Sequence, residues 1–157
     1  YYVPSRKMVV GVVPGVLGKQ VPTQYGGWCI ENMDSHGGWI ASAETLVLFA
    51  DSFNRPESCR FLTKPIMSEI FKNPTGDDKD VFYGCGWLVR RVNGVSRVNT
   101  WHNGSLPGTS TLLVRRHDGL NWAVLFNTRD GSNGKNLATL IDPLVHRAVD
   151  RVKDWPK

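Results

Sequence analysis

Apolar residues recur at helical spacing in three stretches of the chain. Ala43, Leu46, Val47 and Ala50, joined by Phe49 and Phe53, follow the i, i+3, i+4, i+7 rhythm and predict a helix over about residues 43 to 53. Ser42 stands where an N-cap hydroxyl accepts an orphan backbone N–H, and Glu44 puts negative charge in the first turn. Ile66, Met67, Ile70 and Phe71 form a second, shorter stripe, preceded by Thr63-Lys64-Pro65 and ended by Asn73-Pro74. Leu137, Leu140, Ile141, Leu144, Val145, Ala148, Val149 and Val152 trace a third stripe towards the C-terminus. Pro143 should kink that helix or begin a separate one.

Between the second and third stripes the pattern shortens into strand-like runs: Val81 to Val92, Val95 to Trp101, a polar stretch leading on to His117, and Asn121 to Asn127. Asn93-Gly94 and Asp118-Gly119 separate apolar runs in the way hairpin turns do, so the expected arrangement is an antiparallel meander. From Tyr1 to Gly38, Gly and Pro punctuate too often for a long helix or a central strand, which leaves loops with short extended pieces. Together these elements predict an α+β fold, an antiparallel sheet flanked by helices.

Composition keeps the chain in the ordinary globular range. Its 157 residues suit a single domain, and 41% hydrophobic with 21% charged residues argues against disorder. The formal charge of +5 is spread along the sequence. Its densest clusters, Arg90-Arg91 and Arg115-Arg116, fall at expected strand ends, where a solvated rim explains them better than a nucleic-acid stripe. No apolar run approaches the roughly 18 residues of a membrane span. Cys29, Cys59 and Cys85 show no C-x-x-C spacing, so buried free thiols are expected, with one disulfide and one thiol as the alternative. None of the four histidines has metal-ligand spacing with another ligand type, and no metal or cofactor is expected.

The candidate chemistry lies in Trp101-His102-Asn103-Gly104-Ser105-Leu106-Pro107-Gly108. A glycine there lets a ligand approach the backbone, and Pro107-Gly108 bends the chain before a strand resumes. Taken alone, such a histidine is as readily a structural edge residue.

Four landmarks in order change the weight of this segment. Gly37-Gly38-Trp39-Ile40-Ala41-Ser42-Ala43-Glu44-Thr45-Leu46 resembles the glycine-glycine helix start of the β-lactamase-related serine hydrolases, the family of class C β-lactamases and penicillin-binding proteins. Tyr83-Gly84-Cys85-Gly86-Trp87 is similar to that family's Y-G-x-G-W strand entry, and the His102 segment to its H-x-G-G-x-P-G strand. Asp118-Gly119 and the strand ending Leu125-Phe126-Asn127 follow in order.

The resemblance implies a β-lactamase/transpeptidase-like fold of which residues 1–157 are the C-terminal portion. It places His102-Asn103-Gly104 in the position of the lysine-threonine-glycine triad. His102 would then serve the acyl-transfer proton network or bind a substrate carboxylate, and the main-chain N–H of Ser105 would be one of two oxyanion donors. Such a donor is worth about 3 to 4 kcal/mol in the transition state. Asn103, Gly104 and Asn127 would face a small-molecule or peptide substrate. A periplasmic or extracellular location also comes with the family.

The family's nucleophilic Ser-x-x-Lys and its Tyr-x-Asn do not precede the His102 segment. Ser132-Asn133-Gly134-Lys135 follows the last strand and reads as a loop and cap, while Ser52-Phe53-Asn54 reads as a helix C-terminus. The chain, opening on Tyr1-Tyr2-Val3-Pro4, is therefore expected to be the later part of a hydrolase, inactive alone and prone to self-association through an exposed sheet face. The alternative is a non-catalytic carbohydrate- or peptide-binding module using Trp28, Trp39, Trp87, Trp101 and Trp122 as stacking surfaces.

Overall fold

The computed structural model describes residues 2–3 and 7–155. Its α+β architecture has a short two-stranded sheet, a five-stranded antiparallel sheet and three α-helices. The chain divides into two compact units, one of Tyr1–Ile40, Gly104–Thr111 and Leu125–Lys157, the other of Ala41–Asn103 and Leu112–Val124.

The second of these units carries the apolar core. Helix α1 (Ala43–Ser52) begins where the pattern placed it, with the Ser42 hydroxyl accepting the Thr45 N–H at 3.1 Å. Helix α2 (Lys64–Ile70) follows with Pro65 in its first turn, where a missing N–H costs nothing. Ala50 and Phe53 from the end of α1, Met67 from α2, and Trp87, Val89 and Leu113 from the sheet form one buried cluster. Its aromatic members meet edge to face, Phe53 with Trp87 at 5.5 Å and with Phe71 at 5.7 Å, the geometry that ring quadrupoles favour.

The five-stranded sheet runs in chain order: β3 (Val81–Tyr83), β4 (Leu88–Arg91), β5 (Val98–Leu106), β6 (Thr109–Arg115) and β7 (Asn121–Phe126). This is the expected meander with two changes. The run from Val81 to Val92 is two antiparallel strands, because the chain reverses at 84–87: Gly84 donates its N–H to the Trp87 carbonyl at 2.8 Å, and Gly86 holds a φ of 78° that a side chain would strain. Second, β5 continues past Trp101 through the polar segment around His102 to Leu106, and the chain then turns, as expected, at Pro107-Gly108, where Gly108 has a φ of 84°. A proline followed by a glycine of positive φ suits such a reversal.

One charged residue leaves its expected place. Arg115, read from sequence as part of a solvated rim, is 8% exposed. Its guanidinium donates to the Phe53 carbonyl at 3.4 Å and lies 5.1 Å from the Phe71 ring centre. Its Nε and Nη1 atoms have no partner among the described residues. Burial, and then the charge of Arg97, lower the Arg115 pKa from its ordinary value. Arg116 is half-buried, with a side chain 15% exposed, and pairs with Asp118 at 2.8 Å.

In the other unit, β1 (Met8–Val10) pairs antiparallel with β2 (Gln20–Pro22), short extended pieces among the loops the glycines and prolines foretold. Helix α3 (Leu137–Asp150) is a single helix that runs through Pro143 rather than dividing there. The three cysteines are free, but none is buried: Cys29 and Cys59 are half-buried and Cys85 is exposed.

Candidate active-site strand

Strand β5 leaves the core part-way along its length. Val98 packs on the apolar cluster and Thr100 is fully buried, whereas His102, two positions further on, is exposed. Residues two apart on a strand share a side, so the same side passes from core to solvent between Thr100 and His102.

The His102 imidazole has one polar partner among the described residues. Its Nε2 lies 3.0 Å from the Tyr83 hydroxyl, with the rings edge to face at 6.1 Å. Tyr83 is paired with Leu88 and Leu88 with Trp101, so the phenol belongs to a strand two removed from the histidine it meets. Tyr83 stands in the Tyr-Gly-x-Gly-Trp motif, but nothing in the sequence pairs it with His102. Strand pairing across 19 residues brings them together.

Gly104 has a packing reason of its own. A Cβ at this position would come within 2.4 Å of Thr111 Oγ1, so a side chain is excluded by β6. Asn103 beside it is exposed.

The Ser105 hydroxyl takes part in a small polar network at the start of α3. Asn136 donates to Ser105 Oγ at 3.3 Å. Through Oδ1, Asn136 accepts the Ser110 hydroxyl at 3.0 Å and the Ala138 N–H at 2.9 Å. The cap of α3 is thus Asn136, joined to the β5–β6 hairpin by two serines. Ser110 is fully buried, where a hydroxyl must be hydrogen-bonded to avoid a desolvation cost. Asn127, just past β7, is exposed, and its main-chain carbonyl accepts the Tyr2 N–H at 2.7 Å.

Residues 132–135 and 52–54 both have local structural roles. Asn133 Oδ1 accepts the Lys135 N–H at 3.0 Å and Gly134 donates to the Gly131 carbonyl, which makes 131–135 a tight loop before the helix. Ser52 donates to the Phe49 carbonyl at 2.6 Å, and Asn54 ties the end of α1 to the Gly119 carbonyl and the Asn121 side chain.

The tryptophans are not one surface. Trp87 is in the core, and Arg90 lies over the Trp101 ring at 5.1 Å. Trp39 is 82% exposed, beside Ile40 at 92%. Among the described residues no group of three His, Cys, Asp or Glu side chains could hold a metal ion, and no helix is long and apolar enough to cross a membrane. No protein-family model and no curated protein matches the chain.

Proposed function

We propose that residues 1–157 are the C-terminal part of a β-lactamase-related serine hydrolase, with β5 as its active-site strand. The observation that carries this reading is the His102–Tyr83 pair at 3.0 Å, a histidine and a phenol meeting on the exposed stretch of a strand that also carries Gly104 and Ser105. Imidazole and phenol both transfer protons, and a hydrogen-bonded pair of them suits general acid–base work. In the proposed reaction a serine supplied by another part of the protein attacks an ester, amide or β-lactam carbonyl. Its proton passes to a base, the tetrahedral oxyanion collapses to an acyl-enzyme with expulsion of the leaving group, and water then releases the acid.

Ser105 enters this chemistry through its main-chain N–H rather than its hydroxyl, which is engaged with Asn136. A periplasmic or extracellular location belongs to the same reading. The test begins with the coding sequence upstream of residue 1. If it encodes a Ser-x-x-Lys helix start followed by Tyr-x-Asn, the full protein should hydrolyse a chromogenic ester or β-lactam, and His102→Ala should lower kcat by about 100-fold or more. Absence of the serine motif, or unchanged turnover in His102→Ala, overturns the proposal.

The exposure of Trp39 and Ile40 favours a second reading, a carbohydrate- or peptide-binding surface. It predicts retention on a glycan or peptide array by the wild type and loss of that retention in Trp39→Ala. An array with no wild-type binding removes it.

A further inference from the structure

A cavity of about 230 Å³ lies within the unit that contains β1, β2 and α3. Among the described residues that line it, Lys7 and Arg129 are cationic and Asp130 is the one acidic residue. That carboxylate is already engaged: Arg129 Nε donates to Asp130 Oδ2 at 2.8 Å. Lys7 has no ion-pair partner among the described residues, and the terminal nitrogens of Arg129 make no hydrogen bond among them. The walls also include Tyr2, Val3 and Pro107, so charged and apolar surfaces face the same space.

Among the described lining residues one positive charge is in excess, Lys7 and Arg129 against Asp130. A guanidinium whose Nε is held by a neighbouring carboxylate still presents its planar terminal edge, which matches a carboxylate in a two-bond fork, with an ammonium beside it as a point charge. The volume is below the roughly 300 Å³ at which pockets for drug-sized ligands begin, so the occupant is small. From these features we propose that the cavity is a binding site for a small monocarboxylate with an apolar body, its carboxylate on Arg129 and Lys7 and its body against Tyr2, Val3 and Pro107. The site is independent of the His102 strand chemistry, and it holds whether or not the hydrolase reading does.

Benzoate is a suitable probe because benzamide has nearly the same shape without the charge. The protein is titrated with each at constant ionic strength while backbone amide signals are followed by NMR. Saturable shifts of the Gly108 and Asp130 amides are expected with benzoate in the millimolar range and none with benzamide. Arg129→Gln and Lys7→Met, each checked for an unchanged melting profile, should weaken benzoate by about tenfold or more, the equivalent of one charge-assisted hydrogen bond. Should Arg129→Gln not fold, Lys7→Met and the benzamide comparison decide. The proposal is overturned by the absence of saturable benzoate shifts, by equal binding of benzamide, or by folded variants that bind benzoate as the wild type does.

Discussion

The hydroxyl of Tyr83 sits 3.0 Å from Nε2 of His102, although two strand-to-strand steps of the sheet separate their backbones. The tyrosine is half exposed and the histidine exposed, so the bond stands in competition with water and contributes little to folding. Its consequence is orientation: a hydrogen bond at one ring nitrogen selects the imidazole tautomer. Tyr83→Phe should therefore leave stability within about 0.5 kcal/mol of wild type while moving the ring 15N shifts of His102. Unchanged ring shifts would show that the two side chains do not meet in solution.

Gly104 is intolerant of even one carbon. Gly104→Ala places a methyl group against Thr111 Oγ1, and overpacking of this kind costs about 1 to 3 kcal/mol. Thr111→Ala in the same chain should recover much of that loss by removing the atom the methyl meets. Urea unfolding of the single and double variants measures the coupling, and equal midpoints for wild type and Gly104→Ala would contradict the close approach.

Asn136 both caps α3 and receives the Ser110 hydroxyl. Asn136→Ala should destabilise by about 1 to 2 kcal/mol, the usual cost of a lost cap. Asn136→Asp keeps the accepting oxygen for Ala138 and Ser110 and loses only the donation to Ser105, so it should lie much closer to wild type. Thermal melting followed by circular dichroism separates the two outcomes.

Arg115 is a buried cation with two nitrogen atoms that have no hydrogen-bond partner among the described residues. Unsatisfied buried donors carry a desolvation cost, and apolar replacement of a buried charge is often neutral or stabilising. Arg115→Met, which keeps an unbranched stem against Phe71, should equal or exceed wild-type stability by up to about 1 kcal/mol. A loss of more than about 2 kcal/mol in urea unfolding would mean that the guanidinium has a stabilising partner of its own.

The Asp77 carboxyl is lowered to about 2, first by its hydrogen bond with Lys79 and then by that with Asn73. A folded pKa below the ordinary 3.8 means that ionised Asp77 favours the folded loop above pH 3.8 and that this preference is lost as the pH falls towards 2. NMR titration of the Asp77 carboxyl carbon should give a midpoint near 2, and Lys79→Met should raise it towards the ordinary value. A wild-type midpoint at the ordinary value would place the two side chains apart in solution.

Several elements could be read from the chain because their signals are local. Ser42 and the spacing from Ala43 to Phe53 determined α1, and Pro65 with the stripe from Ile66 to Phe71 did the same for α2, where the Thr63 side chain makes no capping bond. A cap and an apolar stripe act within a few residues, so no distant part of the chain is needed to interpret them. The meander was legible for the same reason, since Asn93-Gly94 and Asp118-Gly119 join strands that are neighbours in sequence. The reversal at 84–87 was missed because an apolar run says nothing of direction. There Gly84 donates to the Trp87 carbonyl, closing a turn inside what looked like one strand.

The candidate site divides in the same way. The sequence by itself singled out His102, Gly104 and Ser105 as a polar segment in a strand-rich region. Only the tertiary structure decided what each one meets: Tyr83 beside His102, Thr111 over Gly104, and Asn136 on the Ser105 hydroxyl. It also decided that Arg115 would be buried while its neighbour Arg116 keeps a surface partner. The physical reason is common to all four. Local patterning sets which backbone conformation a segment adopts, but a side chain's partner and dielectric surroundings come from strands and loops that fold back from elsewhere in the chain.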